Sequence, residues 1–241
     1  MGLADLHIHT IYSYDGTATV PAVLKQARRV GLDLIAITDH DEIRGALLAE
    51  KLAPQYNLQV IPGVEITTAE GDLLALNIRS LVPAGLPLIE TLQQVGALGG
   101  FCIAPHPTAS SFSMKSLSAY SIRRALQACL SKRVLVGIET YNATAIDREC
   151  NTAAGILAES CGISRTGSSD AHVLAAIGLG ATFFPGKTPA DLLAALWTGA
   201  TRVRKGTEWG AVRVMSNWLA GYLLSLPAHL NLGRLAKPSH H

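Results

Sequence analysis

Histidine and carboxylate side chains concentrate in five short stretches of the chain. These are Asp5-Leu6-His7-Ile8-His9, Asp39-His40-Asp41, Glu65 behind Pro62-Gly63-Val64, Ala104-Pro105-His106-Pro107, and Ser168-Ser169-Asp170-Ala171-His172. In an extended strand alternate side chains share a face, so His7 and His9 can meet one metal ion. Asp170 and His172 have the same spacing. Asp39 can orient His40 as a ligand, or cap the helix that follows, and the two roles are compatible. Glu65 sits among apolar neighbours, where a carboxylate is costly unless it is salt-bridged or metal-bound. Two prolines stiffen the loop around His106, which suits a fixed ligand and equally an ordinary turn. Asp15, in Tyr14-Asp15-Gly16, reads on its own as a turn residue. Together these residues suit two or three divalent ions, with Mn²⁺, Zn²⁺ and Fe²⁺ the candidates.

The elements that must position these residues follow from periodicity. Apolar runs at 3–8, 34–37, 59–67, 73–78, 101–104, 134–139, 163–167 and 179–184 read as strands. Helical patterns cover about 20–30, 43–52, 87–98, 117–130, 148–161 and 189–197, with Thr19 and Pro21 opening the first and Gly31 closing it. Alternation of this kind predicts a parallel sheet, open or closed. His7, His9, His40, His106 and His172 all fall at or just beyond strand C-termini, the active face of a parallel α/β barrel.

Of the 241 residues, 49% are hydrophobic and 16% charged, which excludes disorder as the main state. The net charge of +2 gives no strong nucleic-acid footprint. Cys102, Cys129, Cys150 and Cys161 are scattered and read as reduced thiols. Residues 1–10 lack a basic segment followed by an apolar one, so the expected compartment is the cytoplasm. Residues 1–206 form the expected barrel domain. Residues 207–241 break the alternation and read as a helical appendage, packed on the barrel or at an interface. Residues 214–232 contain no Asp, Glu, Lys or Arg. A packed helix is the leading reading of that run, with membrane association of residues 209–232 as the lesser one. His229, His240 and His241 lie in this appendage and stand apart from the site.

In order, Asp5-Leu6-His7-Ile8-His9-Thr10, Thr38-Asp39-His40-Asp41, Pro62-Gly63-Val64-Glu65, Pro105-His106-Pro107 and Gly167-Ser168-Ser169-Asp170-Ala171-His172 resemble the motifs of the PHP (polymerase and histidinol phosphatase) superfamily. The resemblance runs from about residue 3 to about residue 200. It implies a distorted (β/α)7 TIM-like barrel with a two- or three-metal phosphoesterase site at the C-terminal face of the strands. By the same resemblance His7, His9, Glu65 and Asp170 hold one ion, and Glu65 bridges to a second helped by His106. Asp15, His40 and His172 form a third group. The family often has a further histidine shortly after the bridging Glu. Asp72 stands there instead, so either it serves as an oxygen ligand or the second ion is held loosely. Glu139, Asn142 and Asn151 resemble pocket residues, with a purely structural Glu139 as the alternative.

The implied reaction is hydrolysis of a small phosphomonoester or nucleotide by metal-activated hydroxide. His40, Glu65, Asp170 and His172 form the expected catalytic set, and His40 or His172 protonates the leaving alcohol. Nucleotide phosphatase, oligoribonucleotide 5′ exonuclease and histidinol-phosphate phosphatase all fall within the resemblance, so a short oligonucleotide is among the expected partners. Lys115 and Arg44 are candidate phosphate contacts, although a solvated surface charge is the plainer reading of each. There is no Gly-x-x-x-x-Gly-Lys loop, which argues against an ATPase. Amidohydrolases share a His-x-His on the first strand, but they usually add a bridging lysine where this chain has Glu65. A catalytically inactive PHP-like metal-binding or interaction module is the remaining alternative, supported by Asp72.

Overall fold

The computed structural model describes residues 1–109, 114–129, 134–146, 148–207 and 209–232. The first half runs β1 (Gly2–Asp5), α1 (Val20–Arg29), β2 (Leu34–Ile37), α2 (Arg44–Leu52), β3 (Gln59–Thr67), β4 (Asp72–Leu76), α3 (Leu88–Ala97) and β5 (Phe101–Ala104). The second runs α4 (Ala119–Cys129), β6 (Leu135–Asn142), α5 (Glu149–Cys161), β7 (Ser164–Ser168), β8 (Gly180–Phe184), α6 (Pro189–Thr198), β9 (Arg202–Lys205) and α7 (Ala211–Asn231).

Local chemistry sets these elements. In α1, Val20, Val23, Leu24 and Ala27 recur at helical spacing and are buried. Pro21 sits in its first turn, and Gly31 follows its end at φ 81°. The side chain of Thr188 and that of Asp191 cap α6 reciprocally. Strands β1 and β2 are buried along their whole length, as expected of strands covered on both faces.

One nine-stranded sheet results, in the order β7-β6-β5-β4-β3-β2-β1-β8-β9. The runs β1-β2-β3 and β5-β6-β7 are parallel. Strand β4 is antiparallel to both its neighbours, and β8 is antiparallel to β1 and β9. The barrel is therefore distorted by reversed strands, and an apolar run such as Asp72–Leu76 carries no mark of its direction. It is nearly closed where β7 meets β8. There Thr182 Oγ1 accepts from Gly167 N (3.0 Å) and donates to Gly167 O (2.9 Å). A side chain at Gly180 would collide with the Ser168 carbonyl, so a glycine permits this approach.

Alternation puts Leu34 and Ala36 of β2, and Ile61 of β3, in one apolar cluster with Leu6, Leu74, Leu76, Ile103 and Phe184. Their period-2 neighbours Ile35, Ile37, Val60 and Val64 pack instead with the helices. Continuing the inward series brings Thr38 and His40 after β2, and Gly63 and Glu65 in β3, to the same end. The β1 ladder stops at Asp5, short of the expected Ile8. Residues 7–9 then pair across the closure, with His9 N donating to Ala171 O (3.0 Å) and Ala171 N to His7 O (3.3 Å).

Helix α7 is 21 residues long. Among the described residues no helix is long and apolar enough to cross a membrane. Cys102 and Cys150 are buried and Cys161 is half-buried. The side chain of Cys129, and His240 and His241, lie outside the described residues.

Candidate metal centre

Glu65 is the hub of the site. Its Oε2 lies 3.1 Å from His7 Nε2, 3.2 Å from His9 Nε2 and 3.3 Å from His40 Nδ1. Its Oε1 lies 3.1 Å from His106 Nε2. Asp170 Oδ1 lies 3.3 Å from both His7 Nε2 and His9 Nε2. On the outer side Asp15 Oδ2 lies 3.2 Å from His172 Nε2 and 3.5 Å from His40 Nε2. Among the described residues three groups have ligand atoms close enough to hold an ion: His7 with Glu65 and His106, His7 with His9 and Asp170, and His9 with Asp15, His40 and His172.

The partners of the histidines fix their tautomers. His7 Nδ1 faces the Glu139 carboxylate at 3.2 Å, which only accepts. His172 Nδ1 faces the carbonyl oxygen of Asp170 at 3.0 Å. Ser116 donates its hydroxyl proton to His106 O, so its oxygen accepts from His106 Nδ1 at 3.2 Å. Ser13 donates to Asp15 Oδ1, so its oxygen accepts from His9 Nδ1 at 3.3 Å. Four imidazoles thus spend Nδ1–H on an outer acceptor and turn Nε2 inward, the arrangement that orients metal-ligating histidines. His9 Nε2 is buried and makes no hydrogen bond among the described residues, although two carboxylates lie within 3.3 Å of it. A divalent ion is the partner that fits this donor set.

Charge is balanced within the cluster. Burial opposes ionisation of Glu65, yet His7 and His40 hold it well below the usual carboxylate range. Asp170 and Asp15 are likewise held low against burial, by His7 and by His172 respectively. Burial disfavours the imidazolium forms, but the carboxylates outweigh it. His7 is raised well above its ordinary value, His40 to about 10 and His172 to about 9. Asp41, His106 and Asp170 all have positive φ (48°, 28° and 53°), so backbone strain clusters around the site.

The other sequence-predicted residues take different positions. Glu139 is fully buried, and its Oε2 accepts from His106 N (2.8 Å) and Asn142 Nδ2 (3.0 Å). Asn142 Nδ2 also reaches Asp170 Oδ2 (2.9 Å), and Asn151 Oδ1 accepts from Asn142 N (2.9 Å). Asp39 does not cap α2. Its two oxygens accept from Thr10 N (2.6 Å) and Thr10 Oγ1 (2.8 Å), which ties the end of β1 to that of β2. Asp72 belongs to none of the three ligand groups. Burial and the charge of Glu65 push its carboxyl up to about 7. Arg44 pairs with Glu42 (2.8 Å), and Lys115 is exposed, with its backbone oxygen accepting from Asp72 N. Ser13 and Ser116 are components that sequence reasoning misses, because an isolated serine carries no signal.

Fold and site together define a nearly closed α/β barrel with a His/carboxylate centre at one end of its strands. The chain belongs to the PHP domain family, whose model matches residues 5–173. A PHP-associated model matches residues 148–201. An uncharacterized protein of Methanocaldococcus jannaschii is 39% identical over 114 residues, 43% of this chain and 67% of that protein. A phosphoribosyl 1,2-cyclic phosphate 1,2-diphosphodiesterase of Eggerthella lenta is 32% identical over 88 residues, 34% of this chain and 33% of that enzyme. The matched segment thus spans about a third of that enzyme's length. A two-domain Bacteroides vulgatus protein described as containing a predicted PHP-like metal-dependent phosphoesterase superposes with a TM-score of 0.68 at 18% identity, covering 92% of this chain and 69% of that one. At that identity the likeness is one of fold.

Proposed function

We propose that this chain is a metal-dependent phosphoesterase acting on a small phosphomonoester or nucleotide. The observation that carries the reading is the common orientation of His7, His9, His106 and His172, each with Nδ1–H held outside and Nε2 turned toward Glu65, Asp170 or Asp15. His7, His9, Glu65, His106 and Asp170 would hold two ions, and His9, Asp15, His40 and His172 a further one. Divalent ions bound there would acidify water and neutralise phosphate oxygens.

The chain's own residues set the direction of approach. His7, His9, Glu65, His106 and Asp170 are buried, while the side chains of His40, Asp15 and His172 are 15%, 17% and 23% exposed. Tyr14 stacks on His40 with ring centroids 5.1 Å apart and is itself exposed. Substrate therefore arrives on the His40–His172 side, with the Tyr14 ring at the mouth. His40 faces Asp15 through Nε2 and Glu65 through Nδ1 on this partly exposed side, and it is placed to hand a proton to a leaving alcohol.

The test is hydrolysis by chain reconstituted with Mn²⁺, Zn²⁺ or Fe²⁺. The panel holds an aryl phosphate, 5′-nucleotides, a short oligoribonucleotide and, because the Eggerthella lenta relative is a cyclic-phosphate diphosphodiesterase, a ribose cyclic phosphate. Turnover by the wild type that His7→Ala loses is expected. Ion binding with no turnover on any of them would overturn the reading in favour of a non-catalytic PHP module.

A further inference from the structure

Helix α7 lies beyond both family-matched stretches, which end at residues 173 and 201. Its inner side nevertheless reaches the site. Trp218 Nε1 donates to the carbonyl oxygen of Asp15 (2.9 Å), and His229 Nε2 donates to that of Gly16 (2.9 Å). Gly221 rests against Thr17, with room for no more than a hydrogen there before the Thr17 side chain must give. Three points spread over twelve residues of one helix thus hold three consecutive residues of one loop.

That loop is otherwise held from the barrel side. Thr17 N and Oγ1 both donate to His172 O (3.0 and 2.7 Å), Ile11 N donates to Ala18 O (2.9 Å), and Ser13 Oγ donates to Asp15 Oδ1 (2.8 Å). A side chain at Gly16 would collide with the Thr10 backbone, so the turn has no slack on that face. The opposite face of the turn presents two consecutive carbonyls, and α7 supplies a donor to each. His229 is fully buried, and a carbonyl only accepts, so the Nε2–H tautomer is required. Its Nδ1 makes no hydrogen bond among the described residues, so donation to Gly16 is the polar function this imidazole performs. Tyr222 stacks on Trp218 (5.0 Å between centroids) and packs beside His229 (5.5 Å), which fixes both donors.

We infer that α7 is a positioning element of the metal centre: Trp218 and His229 hold the Asp15 and Gly16 carbonyls and thereby aim the Asp15 carboxylate at the ion shared by His9, Asp15, His40 and His172. The inference rests on the reading of these residues as metal ligands. It makes the outer group depend on a segment outside the family-matched residues, while among the described residues no hydrogen bond or ring contact joins α7 to His7, Glu65, His106 or Asp170. A misplacement of about 1 Å in such a ligand is enough to matter.

The experiment is Mn²⁺ titration of the full chain, following stoichiometry and affinity site by site, beside thermal melting of the metal-free protein. The variants are Trp218→Phe, His229→Leu and His229→Gln, with Leu224→Ala on the 84%-exposed outer side of α7 as control. Trp218→Phe keeps an aromatic ring, smaller than the indole, and removes the N–H. Each of Trp218→Phe and His229→Leu is expected to weaken one class of Mn²⁺ site at least tenfold and leave the tighter class and the melting temperature in place. His229→Gln, which keeps a donor at the same reach, is expected to restore that class, and Leu224→Ala to change neither. Weakening of all classes in parallel with a falling melting temperature would reduce α7 to a structural prop and overturn the inference, as would no change in any class. Absence of phosphoester turnover in the wild type would sink the proposed function without altering these Mn²⁺ readings.

Discussion

The Glu139 carboxylate lies 3.2 Å from His7 Nδ1 and at the same time accepts the backbone N–H of His106 at 2.8 Å. One buried side chain from β6 therefore orients one imidazole and fixes the strained loop of another. Glu139→Gln keeps the shape and offers His7 an amide in place of a carboxylate. Metal affinity should fall about 10–100-fold, the usual effect of losing such an orienting group. Competition titration against a chromogenic chelator measures it. Unchanged affinity would mean that His7 is aimed by packing alone.

Protons and ions should compete for the centre. His40 and His172 are raised to about 10 and about 9 by carboxylates that outweigh burial, so at pH 7 the metal-free chain holds protons on both. An ion must displace them. Affinity should therefore rise with pH until those values are passed, and at least these two protons should be released per chain on full loading at pH 7. Calorimetry in buffers of different ionisation enthalpy counts them. Zero release would show that the imidazoles are neutral before metal arrives.

Much of this site is legible in the sequence because its logic is short-range. His7 and His9, or Asp170 and His172, are placed by strand alternation and by apolar runs that end where the ligands begin. What escapes is long-range. The reversal of β4 leaves no mark on the run Asp72–Leu76, and Asp39 reads as an orienter of His40 or a helix cap until Thr10 is brought beside it. Ser13 and Ser116 acquire meaning only from the histidines they face. The charge-free stretch of α7 points to packing or an interface, yet nothing in it tells which loop Trp218 and His229 will grip.

Asp5 closes the barrel, its two oxygens accepting from Ser169 N and Gly178 N at 2.9 Å each. Burial pushes its carboxyl up to about 6 against these donors. A raised acid favours the folded state while protonated. Its contribution is therefore full below the unfolded value near 4 and is lost as pH rises through about 6, by an amount on the order of 3 kcal/mol. Asp5→Asn lacks this titration and costs about 1–3 kcal/mol in lost acceptor capacity. The stability gap between wild type and variant should narrow from pH 4 to pH 6 and then stay level. Denaturant midpoints in EDTA test this, and a gap that widens with pH would show that the amide donors outweigh burial.

Asp72 lies near Glu65 without joining any of the three ligand groups. It stands where the family often has a histidine, and its carboxyl is pushed up to about 7 by burial and by Glu65, outside every ligand group. A carboxyl that stays partly protonated beside Glu65 is a poor competitor for a cation. Asp72→Asn removes a like charge from the neighbourhood of Glu65 without removing a ligand. The number of ions per chain should be unchanged by elemental analysis, and turnover should be altered less than that of any variant at His7, Glu65 or His106. Loss of one ion in Asp72→Asn would instead make Asp72 the oxygen ligand that replaces the imidazole.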